Sequence, residues 1–268
     1  MILIDSHTHS SCSPDGTVPM IQMAQGAMKA GVTDLCITDH CDFLTLDGTA
    51  RTTTYDWAPV FAQWLEMKAA YGNRLNLSLG LEFGMGHLDA QAAQQVLSLP
   101  ELDFVIGSVH NLTETEGGKD FYFLPYETEG DCYRALDNYF SSMEALSRSP
   151  FYDVLGHIIY PLRYMTGGYE RPISLYRYTD HIRSILKNAV EAGRGMEVNT
   201  WKGKTLVEWR PILELYRESR GEIITVGSDA HDPAPVGAGI RDAYAMLTDL
   251  GFRYVASYQQ RKPTFIKL

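Results

Sequence analysis

Short aliphatic and β-branched runs alternate along this chain with longer segments whose apolar residues recur every three or four positions. That alternation predicts strands separated by helices. Ile2-Leu3-Ile4 reads as a first strand, and Met20 to Ala30 as a helix closed by Gly31, a residue suited to a left-handed C-cap. Asp34 to Thr38 is a second strand, and Trp57 to Tyr71 a helix with apolar residues at Val60, Phe61, Trp64, Leu65 and Met67. Leu75 to Leu81 forms a third strand, a helix follows from about Leu88 to Leu97, and Phe104 to Ile106 is a fourth strand. The polar stretch from Thr113 to Gly130 reads as a functional loop. Beyond it come a helix over Cys132 to Leu146, a strand at Val154-Leu155, and a helix over Leu175 to Ala192 ended by Gly193. Met196 to Val198 and Ile223 to Val226 are strands, Pro211 to Glu218 and Ile240 to Leu250 are helical, and Tyr254 to Ala256 reads as a last short strand.

Strands joined through helices make right-handed crossovers and a mainly parallel sheet. About seven such units in one chain favour a closed α/β barrel over an open sheet. No Pro/Ser-rich linker or break in composition divides the sequence, so residues 1–268 read as one domain.

Composition narrows the classes of function. With 45% hydrophobic and 21% charged residues the chain lies in the globular regime, with apolar material for a substantial core. A formal net charge of −10 disfavours nucleic acid as the main partner, since phosphate backbones call for a basic surface. It leaves room for a locally positive pocket that takes a small anion. Cys12, Cys36, Cys41 and Cys132 include no CxxC pair and read as free thiols of a reducing compartment. Cys41, beside a histidine, is a minor candidate metal ligand. The apolar run at the N-terminus is too short for a signal-peptide core, and no stretch approaches the ~20 residues that span a bilayer, so the expected location is cytoplasmic with no membrane partner. Oligomeric state is not legible.

The chemistry lies in the placement of histidines. Of eight, six fall within five residues after a predicted strand: His7, His9, His40, His110, His157 and His231. Barrel enzymes build their sites at the carboxyl ends of strands, so these six are expected to converge on one rim. His7 and His9 stand at i and i+2, which on extended backbone puts both imidazoles on one side; Asp229 and His231 repeat that spacing. Imidazoles mixed with carboxylates suit zinc, manganese or iron. A lone histidine after a strand is usually an ordinary polar residue, but six so placed are hard to reach by chance. His87 and His181, in or beside helical segments, take that ordinary role. Glu82, in Gly80-Leu81-Glu82-Phe83-Gly84, ends the third strand among apolar residues, and a buried carboxylate there calls for a cation. Asp15, in Ser13-Pro14-Asp15-Gly16, reads by pattern as a turn residue.

Taken in order, the His7-Thr8-His9, Thr38-Asp39-His40, Gly-Leu-Glu82-Phe-Gly, Gly-Ser-Val-His110, Gly-His157 and Ser-Asp229-Ala-His231 motifs resemble the polymerase and histidinol phosphatase (PHP) superfamily over nearly the whole chain. The resemblance implies a single-domain distorted (βα)7 barrel carrying two to three divalent ions. It implies that His7, His9, Glu82 and Asp229 hold one ion, that Glu82 bridges to a second bound by His110 and His157, and that Asp15, His40 and His231 bind a third. Asp15 is thereby promoted from turn residue to ligand.

Length and the segments Val154 to His157 and Glu197 to Thr200 are similar to histidinol-phosphate phosphatases, which release histidinol in histidine biosynthesis. Ile158-Ile159 and Trp201-Lys202-Gly203 depart from that subgroup, which often carries an acidic residue and Ser-Gly there. The expected reaction is phosphomonoester hydrolysis on a small phosphorylated substrate: water activated between ions attacks phosphorus in line, and His231 or Asp229 protonates the leaving group. Arg163 and Lys202 are candidate phosphate clamps, against the reading of ordinary surface cations. Glu114, Glu116 and Asp120 read mainly as solvated loop charge, with attraction of a substrate amine as the second reading. Two alternatives stay open: a phosphoesterase of the same superfamily acting on nucleotides or single-stranded nucleic acid, and a noncatalytic metal-binding module.

Overall fold

The computed structural model describes residues 2–165 and 173–268. Its strands and helices alternate as the periodicity requires. In chain order they are β1 (Ile4–Asp5), α1 (Met20–Ala30), β2 (Asp34–Ile37), β3 (His40–Asp42), α2 (Trp57–Tyr71), β4 (Asn76–Gly84), α3 (Ala90–Val96), β5 (Phe104–Ser108) and α4 (Glu129–Ser147). There follow β6 (Val154–Leu155), α5 (Thr179–Glu191), β7 (Gly195–Asn199), α6 (Trp209–Glu218), β8 (Ile224–Gly227), α7 (Ile240–Asp249), β9 (Tyr254–Gln259) and β10 (Lys262–Lys267).

The parallel strands run β1-β2-β4-β5-β6-β7-β8, with β3 pairing the far end of β4. Hydrogen bonds from Ser6 N to Val226 O (3.0 Å), His9 N to Ala230 O (2.8 Å) and Asp229 N to His7 O (2.9 Å) join the segments beyond β1 and β8. The sheet therefore closes on itself as a seven-stranded α/β barrel.

Helix faces and caps follow local rules. In α5 the buried Ile182, Ile185, Leu186 and Ala189 sit at i, i+3, i+4 and i+7, one stripe toward the sheet. Gly31 ends α1 at φ +75°, as its position predicts. A capping box between Thr128 and Asp131 starts α4 three residues earlier than apolar periodicity suggests, because caps are polar and invisible to that pattern.

Several expectations shift. In α2 Val60, Trp64 and Met67 are buried, but Leu65 is 63% exposed, so the apolar stripe is narrower than composition implies. The helix expected from Leu88 begins only at Ala90, where extended Asp89 caps it by accepting from Ala92 N (3.0 Å). The helix expected from Leu175 begins at Thr179, after a single 3-10 turn at Tyr176–Tyr178. The third predicted strand runs on to Gly84, so Glu82 lies within it rather than at its end. The last predicted strand is half of an antiparallel hairpin, β9–β10, outside the barrel sheet. Its two-residue turn, Gln260-Arg261, takes φ of 48° and 61° without any glycine, which is why no turn signal marked it. Ala256 and Tyr258 of this hairpin pack with Cys36, Phe104, Ile106 and Val154 at the end of the barrel where the strands begin. No described helix is long and apolar enough to cross a membrane.

Candidate metal centre

Beyond β1 the backbone stays extended, and Thr8 bridges to Ala230, so His7 and His9 turn to one face, as their spacing predicts. Their Nε2 atoms lie 2.9 Å apart. Gly227 allows β8 this close: a Cβ there would stand 2.2 Å from His7 Cβ. Glu82, 1% exposed, occupies the centre. Its Oε2 is 3.0 Å from His7 Nε2, 3.4 Å from His9 Nε2 and 3.3 Å from His40 Nδ1. Its Oε1 is 2.9 Å from His110 Nε2 and 2.6 Å from His157 Nε2, and accepts from Ser108 Oγ at 2.8 Å. One carboxylate thus faces five imidazoles, three at Oε2 and two at Oε1.

Asp15 sits at the outer edge, its Oδ2 2.9 Å from His231 Nε2 and its Oδ1 3.7 Å from His40 Nε2. Asp229 Oδ1 lies 3.5 Å from His9 Nε2, 3.8 Å from His7 Nε2 and 3.7 Å from His231 Nδ1. All nine residues expected as ligands therefore meet in one place. The route differs at Asp229: its φ of +60° is left-handed, so strand alternation does not align it with His231. Local strain, tolerable for Asp, aims the carboxylate instead.

The donors form overlapping sets: His7, His9 and Glu82; Glu82, His110 and His157; His9, His40 and His231; and His40, Asp42 and His110. Their hydrogen bonding shows what they lack. His7 Nδ1 lies 2.6 Å from Glu197 Oε1, and His110 Nδ1 lies 2.7 Å from Asp42 Oδ1. A neutral imidazole that gives its Nδ1 proton to a carboxylate presents only a lone pair at Nε2. Lone pairs of His7 and His110 then confront the Nε2 atoms of His9 and His157 and the oxygens of Glu82. Acceptors packed this closely require positive charge among them, and this mixed donor set fits divalent ions.

Protonation preferences express the same need. Burial opposes the charge on His7, yet Glu197, Glu82 and Asp229 hold its pKa well above the ordinary value. Burial likewise opposes charge on His40, but Glu82 and Asp42 raise it to about 9. Burial would raise Glu82, but the cationic forms of His7, His40 and His110 hold it well below the carboxylate range. Burial together with His231 and His40 drives His9 down to about 3.

Arg163 is buried, not a surface cation: Nη1 donates to Asp229 Oδ2 (2.8 Å) and Nη2 to Asn199 Oδ1 (2.7 Å), between the Tyr160 and Trp201 rings. Its Nε has no partner among the described residues. Lys202 is half-buried, at φ +59°, on the wall of the same cavity of about 290 Å³. Asp120 corrects the reading as solvated loop charge, because it is buried on that wall, accepts from Tyr122 N (2.7 Å) and Tyr160 OH (3.2 Å), and is raised by burial. Glu114 pairs with Arg51 in solvent, and Glu116 is exposed. Cys41 joins the hydrophobic core, His181 pairs with Glu144 (2.7 Å), and His87 stands apart from the cluster, lowered by burial to about 4.

The sequence reading missed Asp42, Glu197, Asn199 and Asp39. Glu197 carried the signal that found Glu82, a lone carboxylate inside a fully buried strand. Asp39 accepts from Ser10 N, Ser10 Oγ and Ser13 Oγ at 2.6–2.7 Å, and Ser13 Oγ in turn lies 3.1 Å from His9 Nδ1.

The PHP domain family pattern matches residues 5–201. A probable histidinol-phosphatase of Deinococcus radiodurans is 30% identical over 269 positions, covering 97% of this chain and 98% of that protein. One from Clostridium acetobutylicum is 26% identical, covering 95% of this chain and 96% of that protein. The crystal structure of histidinol phosphate phosphatase from Lactococcus lactis, in complex with zinc, L-histidinol and phosphate, shares the fold. It has a TM-score of 0.82 and 24% identity, over 98% of each chain.

Proposed function

The chain belongs to the PHP domain family, and from that premise we propose that it is a metal-dependent phosphomonoester hydrolase converting histidinol phosphate to histidinol and phosphate. The observation that carries this reading is Glu82, a buried carboxylate ringed by imidazole lone pairs that only added positive charge reconciles. The full-length likeness to histidinol-phosphatases supports the substrate.

His7, His9, Glu82 and Asp229 would hold one ion; Glu82, His110 and His157 a second; Asp15, His40 and His231 a third. Zinc suits these donors, as do manganese and iron. Bound there, such ions lower the pKa of water from about 15.7 toward about 7 and neutralise charge on the phosphoryl oxygens.

The protein's own groups divide the remaining work. Arg163 fixes Asp229 through Oδ2 and leaves Oδ1 toward the histidines, and its buried guanidinium adds positive charge to the cavity wall. Lys202 adds a second positive charge on the cavity wall. His7 and Arg163 hold Asp229 well below the usual carboxylate range against the effect of burial. Delivery of a proton to the leaving alkoxide is assigned to His231 or Asp229, which both line the cavity. Asp120 with Tyr160 offers an acceptor for a cationic amine on the wall of the cavity.

Initial rates of phosphate release from histidinol phosphate, nucleoside monophosphates and oligonucleotides, on protein assayed for metal, test the reading. Selectivity for histidinol phosphate is expected. Preference for a nucleotide would move the substrate elsewhere in the superfamily, and silence across the panel with metals bound would leave a binding module.

A further inference from the structure

Asp42 stands with His40 and His110 in one donor group but is not among the ligands of the three ions proposed above, and it touches two of those ligand sets. It lies on β3 two residues beyond His40, so both side chains leave the strand on one face, opposite Glu82 and Gly84 of β4. Its Oδ1 is 2.7 Å from His110 Nδ1, and its Oδ2 is 3.3 Å from His40 Nδ1. The first contact is a well-formed hydrogen bond; the second is longer and off-line, an ion-pair contact rather than a full bond. His110 and His40 belong to different proposed ions, and each turns Nε2, the nitrogen away from Asp42, toward its own site.

Gly84 makes the arrangement sterically accessible. A Cβ at this position would lie 1.6 Å from Asp42 Oδ1 and 3.1 Å from His110 Nδ1. The carboxylate occupies the space where any other residue would carry its side chain.

We propose that Asp42 is a positioning residue shared by two metal subsites: its Oδ1 holds His110 with Nδ1 protonated and Nε2 free to bind, its Oδ2 together with Glu82 Oε2 faces His40 Nδ1 and orients that ring, and Gly84 provides the room. The proposal rests on the metal-centre reading above. A ligand whose ring is no longer oriented by its carboxylate loses metal affinity by about 10–100-fold, and here one substitution reaches two ions. An asparagine at position 42 retains a single acceptor oxygen, so it cannot serve both rings.

Zinc-loaded protein is equilibrated against graded chelator, and bound zinc per chain is measured for wild type, Asp42→Asn, Gly84→Ala, His110→Ala and His40→Ala. Imidazole nitrogen NMR on the same samples reads which ring nitrogen carries the proton. Expected are weakened binding at two subsites in Asp42→Asn and Gly84→Ala, one subsite in each histidine variant, and loss of the Nδ1–H form of His110 in Asp42→Asn. A merely structural Asp42 would leave that tautomer unchanged. The proposal is overturned when both histidine variants lose zinc while Asp42→Asn and Gly84→Ala retain wild-type affinity and tautomers. Histidine variants that keep all their zinc would instead overturn the metal-centre reading itself. Either position 42 or position 84 suffices where the other variant does not fold.

Discussion

The two ends of the barrel are built from the same strands and solve burial in opposite ways. Where the strands begin, the β9–β10 hairpin lays Ala256 and Tyr258 on Phe104, Ile106 and Val154, and the buried carboxylate there finds partners within the chain. Asp153, mostly buried, accepts from Val105 N (2.8 Å) and pairs with Arg261 Nε (2.5 Å). Where the strands end, Glu82, Asp229 and five imidazoles are packed so that their acceptors face one another. The first end is complete as a polypeptide; the second is completed by ions from outside. Stability and activity should therefore respond separately to changes at the two ends.

The sharpest contrast comes from Glu82→Ala or His110→Ala, each expected to lower kcat on the order of 10³-fold through lost electrostatic and metal assistance. Tyr258→Ala at the other end should cost about 3–5 kcal/mol of stability, measured by denaturant titration, with the kcat of the folded enzyme unchanged. Near wild-type turnover in both active-end variants would dissolve the distinction.

Chelation should act on one end only. Stripping ions held at about a thousandfold over their Kd removes about 4 kcal/mol of stability, seen as a lower Tm by calorimetry. Tyr258→Ala should lose the same increment on stripping as wild type, because its defect lies elsewhere. An unchanged Tm in verified metal-free protein would speak against a shared cluster.

Proton linkage gives a smaller, signed effect in the stripped protein. His9 titrates at about 3 when folded, so below its unfolded value of 6.5 the unfolded chain binds the proton first, and stability falls as pH drops from 6.5 toward 3. His40 runs the other way: raised to about 9, it contributes fully below 6.5, and that contribution is lost as pH climbs from 6.5 to 9. Its proton and the metal compete, so the loaded protein should lack the alkaline decline. Matching pH profiles of Tm with and without metal would contradict the linkage.

The least effect is expected from Arg261→Ala, about 1–3 kcal/mol for leaving Asp153 short of a partner, with no change in kcat or bound metal. A loss of zinc in this variant would mean that the two ends are not independent.

Much of the active end was legible without coordinates. His7 and His9 declared themselves by i, i+2 spacing, and Glu82 by its isolation among apolar neighbours. Asp15 did not, because Ser-Pro-Asp-Gly is also what a plain turn looks like; only its 2.9 Å approach to His231 Nε2 separates the two. Asp42 and Arg163 were obscure for another reason: an acid near a histidine and a cation in a loop are commonplace along a sequence, and their meaning lies in what they touch. The β9–β10 hairpin escaped because its turn uses Gln260 and Arg261 rather than glycine or asparagine.

By itself the sequence determined the alternation of strands and helices, the carboxyl-end location of the histidines and hence the class of chemistry, since periodicity and spacing are properties of a one-dimensional string. Only the tertiary structure decided which nitrogen faces which oxygen, that Arg163 is spent partly on Asp229, and that Asp42 reaches both His110 and His40. Those relations are set by closure of the barrel, which brings residues some two hundred positions apart within hydrogen-bonding distance, as His7 and Glu197 are at 2.6 Å.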